Sequence, residues 1–300
     1  MTICPLCHAQ DFGAHRFGLL RCVNCGLVVD RRIFTPQLDR KVNAEAFGEA
    51  YEPERSCWVR WFHARNSRRY LRNLRRTGVT GGRLLEVGVG SGSFLREARQ
   101  AGFEVTGCEL SESLARRVQA RTGIRVYSQD LASLPAAAFD IVCMHHVLEH
   151  VSDPVGLLRA AHGRLVPGGI LHLAVPNAAC WEAKLPGWNS YEYYHLAYFD
   201  QSTLRQALEA AGFAVRYMAS HESFSAWFLA FARTVVGRRS MEPPSEVTTS
   251  SGRVSPLRRL AEHPYRLTMV ASGLVTWPLR WVQGRLGYGD ELVAIARSTE

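Results

Sequence analysis

Residues 84 to 94 read Leu-Leu-Glu-Val-Gly-Val-Gly-Ser-Gly-Ser-Phe, and this stretch decides the fold. A short apolar run carries a carboxylate, Glu86. Gly88, Gly90 and Gly92 follow at alternate positions, and from Phe94 to Ala98 a helical pattern begins. The order is strand, tight loop, helix start. Glycines in such a loop remove Cβ atoms, so a ligand can lie against the backbone. In open α/β sheets that ligand sits at the carboxyl ends of parallel strands. A dinucleotide fingerprint wants Gly-x-Gly-x-x-Gly, but here the third glycine comes one residue early and Ser93 holds its position. A carboxylate before the loop would also repel a pyrophosphate. It suits a cationic ligand with an ammonium group.

The pattern Glu-x-Gly-x-Gly-x-Gly resembles motif I of class I S-adenosylmethionine (SAM) methyltransferases. Phe103 to Cys108 reads as a second strand, followed by Glu109 and Leu110; the resemblance makes Glu109 the ribose ligand. Val126 and Tyr127 lead to Asp130, whose counterpart in the family contacts the adenine amino group, with Leu131 beside the ring. Phe139 to Met144 reads as the fourth strand. The segment His146-Val147-Leu148-Glu149-His150-Val151-Ser152-Asp153-Pro154 is similar to the family's "LEHv.DP" stretch. Leu165 to Pro176 looks like the family's helix, glycine turn and fifth strand. The resemblance covers roughly residues 80 to 220. It implies an α/β, Rossmann-like sheet of seven strands in the order 3-2-1-4-5-7-6, with strand seven antiparallel. It also implies a SAM site formed by Glu86, Gly88, Gly90, Gly92, Glu109, Leu110, Asp130, Leu131 and His146.

At the amino terminus, Cys4-x-x-Cys7 and Cys22-x-x-Cys25 are separated by 14 residues. Two such knuckles supply four thiolates, a filled tetrahedral shell for Zn²⁺ and hence a structural site. About 30 residues bury little core, so the metal would supply folding energy. The remaining cysteines, Cys57, Cys108, Cys143 and Cys180, are scattered and expected in or near the core. No leader sequence is expected, because Cys4 and Cys7 occupy its place. Eight cysteines without a leader argue for a reducing compartment. The expected location is the cytoplasm.

The 300 residues carry a net charge of +9. Only Lys41 and Lys184 are lysines, so 36 − 2 = 34 of the basic residues are arginine. Arg55 to Arg76 reads as a helix with eight arginines and no acid. It is either an anion-binding face or a solvated one. Chain ahead of the first strand often forms a lid in the family, which brings in Tyr51. The expected organisation is a ribbon over 1–30, linker and basic helix over 31–79, and the core over 80–223. A helical insertion follows over 224–288, with a disordered loop at 239–256, and then the final strand over 289–300. No stretch is long and apolar enough to span a bilayer. Residues 224–286 could instead lie in a membrane interface, with Trp277, Trp281, Arg280 and Arg285 at headgroup level.

SAM carries its own reactive methyl group, so the protein mainly binds and aligns. An oxygen acceptor benefits from a general base, and histidine suits that role. His195, in the aromatic-rich segment from Trp181 to Phe199, is the first candidate and His146 the second. Some ubiquinone-pathway O-methyltransferases carry a Glu-x-x-Glu-His metal site. The equivalent here is His146-x-x-Glu149-His150, which on a helix would share one face. The expected acceptor is a small molecule, sugar or lipid-linked metabolite, methylated on oxygen or carbon. The alternatives are an RNA methyltransferase, favoured by the ribbon and charge, and a non-catalytic SAM-binding scaffold. Nucleic acid is not the expected partner, since the motifs for base methylation are missing.

Overall fold

The computed structural model describes residues 2–35, 57–135, 138–222, 226–237 and 271–299. Tyr51, most of the linker and the 239–256 loop lie outside them. The chain opens with three short strands, β1 (Phe12–Ala14), β2 (Leu20–Cys22) and β3 (Val28–Val29). They gather Cys4, Cys7, Cys22 and Cys25 so that the four sulfurs lie within 4.8 Å of one another. Each pair forms a turn: His8 N–H donates to the Cys4 carbonyl and Gly26 N–H to the Cys22 carbonyl, both at 3.0 Å. The residue after each second cysteine is left-handed, His8 at φ 61° and Gly26 at φ 84°.

A long basic helix, α1 (Cys57–Arg76), leads into β4 (Arg83–Val87). Then come α2 (Ser93–Gln100), β5 (Glu104–Cys108), α3 (Glu112–Thr122), β6 (Val126–Tyr127) and β7 (Phe139–His145). The helix α4 (Pro154–His162) and the strand β8 (Leu165–Pro176) follow. Asp153 caps α4 by accepting from Gly156 N–H at 2.8 Å, with Pro154 in the first turn, where its missing N–H costs nothing. The helix has already ended at His162, so Leu165 to Pro167 belong to the strand rather than to a helix. The two-residue β9 (Ala197–Tyr198), α5 (Gln201–Ala210) and β10 (Phe213–His221) complete this part. Of the insertion, α6 (Ala226–Val235) and α7 (Trp277–Arg285) are described, and β11 (Glu291–Ser298) ends the fold.

Seven strands form one sheet in the order β10-β11-β8-β7-β4-β5-β6. Counted from β4, this is 3-2-1-4-5-7-6 read from the other edge. Only β11 runs antiparallel to both its neighbours. The central strands are buried along almost their whole length, as parallel strands covered on both faces must be. The carboxyl ends of β4, β5 and β7 therefore open onto one edge.

The ribbon is joined to this body by main-chain pairing. β3 pairs antiparallel with β9, Val28 opposite Tyr198 and Val29 opposite Ala197. Cys22, Leu27 and Val29 share one buried cluster with Leu173, Leu196 and Phe199. Trp188, Tyr191 and Tyr198 pack on Leu19 and Val28. Cys108, Cys143 and Cys180 are buried as expected.

The insertion docks through close backbone approach. A Cβ on Gly187 would sit 2.5 Å from the Ala230 carbonyl oxygen and 2.4 Å from Thr234 N, both in α6. Among the described residues, no helix is long and apolar enough to cross a membrane. Gly187→Ala should force α6 away from the body at a cost of roughly 1–3 kcal/mol. A lowered urea midpoint, with new protease cleavage near Phe231, is the expected outcome. An unchanged midpoint would show that the contact does not hold α6.

Candidate functional site

The glycine loop after β4 lies under a cavity of about 1140 Å³. Gly90 adopts φ 48° and a Cβ there would meet nothing within 4 Å, so bare backbone faces the opening. Gly88 is closed in from the other side: its Cβ would strike Val147 Cγ2 at 2.5 Å. Gly92 does different work. A Cβ there would lie 2.7 Å from Val118 Cγ1, so this glycine lets α2 begin tight against α3 and is not part of the cavity wall.

Glu109, Leu110, Asp130 and Leu131 line the same half of the cavity. Glu109 is buried at the end of β5, and its carboxylate accepts from Ser111 N–H at 3.0 Å. Burial raises its pKa, and backbone N–H groups of Ser111, Gly90 and Leu110 counter that rise. Glu86 sits behind the wall rather than in it. It is buried, its Oε2 has no partner, and burial followed by the charge of Glu109 raises its pKa well above the usual range.

The other half is built by the turn after β7 and the segment before β9. His145, His146, Glu149, His150, Ser190, Tyr194 and His195 line it. Glu149 and His150 sit in a 3-10 turn, Leu148–His150, and His146 precedes it at φ 57°. The expected single helical face is therefore absent. His146 instead bridges two carboxylates, with Nδ1 3.3 Å from Glu149 Oε1 and Nε2 3.1 Å from Glu291 Oε1. Its side chain is 46% exposed, and the two carboxylates raise its pKa, to about 10. Flanked by two carboxylates, His146 is favoured as an imidazolium, and the geometry makes it a charge bridge between Glu149 and Glu291. Glu149 is lowered to about 2 against the opposing effect of burial, chiefly by its bond to His146.

His195 is buried, and its Nδ1 lies 2.7 Å from the Ser190 carbonyl oxygen. A carbonyl only accepts, so Nδ1 carries the hydrogen and Nε2 the lone pair. Burial, then His150, pushes His195 down to about 3. His150 makes a matching contact, Nδ1 to the Tyr194 carbonyl at 3.0 Å. Glu149, His150 and His195 each place one ligand atom within 4.8 Å of the others. Glu149 Oε2 is buried without a partner. His195 thus takes the place that the sequence assigned to His146 in a metal-type cluster. Much of the aromatic segment packs rather than faces the cavity: Trp188, Tyr191, Tyr198 and Phe199 are buried in clusters shared with the ribbon.

A family profile described as "Methyltransferase domain" matches residues 60–217, just over half of the sequence. The chain belongs to the methyltransferase-domain family. The ubiquinone biosynthesis O-methyltransferase of Xanthomonas axonopodis pv. citri is 37% identical over 123 residues, 38% of this chain and 52% of that protein. The enzyme of the same name from Pseudomonas aeruginosa is 32% identical over 110 residues, 34% of this chain and 47% of the other. The chain thus spans about half the length of the curated relatives it matches. Among solved structures, 1,6-didemethyltoxoflavin-N1-methyltransferase of Burkholderia thailandensis has a TM-score of 0.53 at 16% identity, covering 93% of this chain and 99% of that one. A SAM-dependent methyltransferase from Archaeoglobus fulgidus gives 0.51 at 18% identity, covering 80% and 94%. The fold is that of class I SAM methyltransferases.

Three residues that brace the histidine turn from behind escaped the sequence reading. Glu291 begins β11, which runs antiparallel, so its first residue lies at the active edge opposite Pro176. Arg69 and Tyr70 of α1 both donate to the Glu291 carboxylate. Tyr70 also stacks on His145 at 4.1 Å between ring centroids. The reversed direction of the seventh strand was the available clue to Glu291. Nothing in the arginine-rich pattern of α1 set Arg69 apart.

The raised pKa of His146 has a signed consequence. Its contribution to stability is complete below the unfolded value of about 6.5 and is lost as pH rises through about 10. Urea midpoints measured from pH 6 upward should fall more steeply for the native protein than for His146→Asn, which tolerates the left-handed backbone. Parallel curves would remove the charge bridge.

Proposed function

We propose that this protein transfers the methyl group of SAM to an oxygen of a small-molecule acceptor. One observation carries the reading: a single cavity joins the glycine-loop half to the histidine half. Its volume of about 1140 Å³ exceeds the roughly 300–1,000 Å³ of single-ligand pockets, leaving room for nucleoside and acceptor together. Two curated relatives carry the name ubiquinone biosynthesis O-methyltransferase, which supports oxygen as the accepting atom.

The residues fit SAM. Gly90 offers bare backbone, Glu109 a buried carboxylate for ribose hydroxyls, and Asp130 and Leu131 the adenine side. Glu86, behind the wall, keeps one carboxyl oxygen without a partner, a group an ammonium at the amino-acid end would satisfy and ionise. Bound there, SAM would supply a methyl group already activated by its sulfonium. His195 orients the acceptor hydroxyl by accepting its hydrogen bond at Nε2. With its pKa near 3, it holds a full proton only weakly.

That weakness gives weight to a second reading. Glu149, His150 and His195 suit a divalent cation, which would make an acceptor hydroxyl more acidic where no strong base stands. Each imidazole is held by a backbone carbonyl through Nδ1, the usual support for a ligating histidine. Cys4, Cys7, Cys22 and Cys25 fit a structural Zn²⁺, with no position left open for substrate.

Calorimetry with SAM should show binding that Glu109→Ala weakens at least about tenfold, or roughly 1.4 kcal/mol. His195→Ala should lower kcat much more than SAM affinity. Native protein that binds neither SAM nor S-adenosylhomocysteine would defeat the proposal. Full turnover after chelation, with the ribbon metal retained, would remove the cation reading alone.

A further inference from the structure

The arginine helix faces a second cavity that methyl transfer does not use. Arg65, Arg69, Arg72 and Arg76 fall at i, i+4, i+7 and i+11 of α1, one face of the helix. Opposite them α7 presents Arg280 and Arg285, together with Trp277 and Trp281. Between lies a groove of about 720 Å³ floored by β10. It shares no lining residue with the larger cavity, so its occupant is not SAM.

The groove is short of negative charge. Among the described residues that line it, Glu222 is the only carboxyl group. Burial, then Asp290 and Glu182, raises the pKa of Glu222 and so favours its neutral form. No described carboxylate pairs with Arg65, Arg72, Arg76 or Arg285. Arg69 is bound to Glu291 on its far side, yet its Nε is buried without a partner, as is His221 Nε2. Both atoms belong to residues that line the groove. Arg285 lies over the Trp281 ring at 4.6 Å, and Trp277 and Trp281 are 61% and 52% exposed.

Clustered guanidinium groups repel one another, and a shared anion removes that cost. The planar guanidinium fork matches phosphate oxygens two at a time. Indole faces beside it take an apolar or planar group. We propose that the groove between α1 and α7 binds a phosphate-bearing ligand, its charge on the arginines and its organic part on Trp277 and Trp281. The source is either a soluble phosphate compound or a phosphate headgroup at a membrane surface. Leu274, Val275 and Leu279, exposed at 67%, 80% and 58% near the α7 side, suit the second.

The test uses the full chain, with inorganic pyrophosphate in calorimetry and phosphatidylcholine vesicles, with or without phosphatidylglycerol, in flotation. Arg72→Glu and Arg76→Glu change exposed groove residues. Arg75→Glu makes the same charge change on the same helix outside the groove. Pyrophosphate binding that falls about tenfold in the groove variants and less than about twofold in Arg75→Glu supports a soluble ligand. Flotation only with phosphatidylglycerol, lost in the groove variants alone, supports a headgroup. Neither binding nor flotation, or equal losses in Arg75→Glu, would overturn the site.

Discussion

Burying the Glu291 carboxylate is the constraint on which the active edge depends. A lone carboxylate inside a protein costs several kcal/mol, and the cost is met only by close partners. Here Arg69, Tyr70 and His146 all converge on it. They come from α1 and from the turn after β7, so one buried charge locates two elements relative to β11. His146 passes the arrangement on to Glu149. The row alternates in sign: Arg69, Glu291, His146, Glu149. Its last member lies in the wall of the cavity, beside His150 and His195. The left-handed backbone at His146 is the local strain by which both of its nitrogens reach carboxylates.

A second constraint comes from the ribbon. About 30 residues held by four cysteines cannot bury much on their own. The ribbon gains a fourth strand, β9, from the body of the enzyme. Leu196, just before β9, accepts from Asp30 N–H at 2.9 Å and donates to the Glu149 carbonyl at 2.7 Å. The residue next to His195 is therefore held by the ribbon on one side and by the wall of the cavity on the other. The buried rings of Trp188, Tyr191 and Tyr198 complete that junction.

Much of this was legible in the sequence because it depends on neighbours along the chain. The strand, glycine loop and helix of residues 84 to 100 follow from local spacing, as do the cysteine knuckles. Glu109 was legible because it directly follows a strand, and Asp130 because it lies three residues beyond one. The fate of the histidines was not. His146, His150 and His195 differ only in what surrounds them: two carboxylates raise one, and burial lowers another to about 3. Ring content alone likewise does not tell an acceptor surface from a packed joint, so the aromatic segment was readable either way. Glu291 lay 222 residues from Arg69, a separation no periodicity spans.

The pairing of β3 with β9 is made by main-chain groups, so it constrains chain length more than side-chain identity. Adding or deleting one residue between Gly187 and Ala197 would shift the register by one. Every side chain of β9 would then turn to the opposite face, and Tyr198 would leave its cluster. Descendants of this sequence can therefore vary in composition there far more freely than in the number of residues.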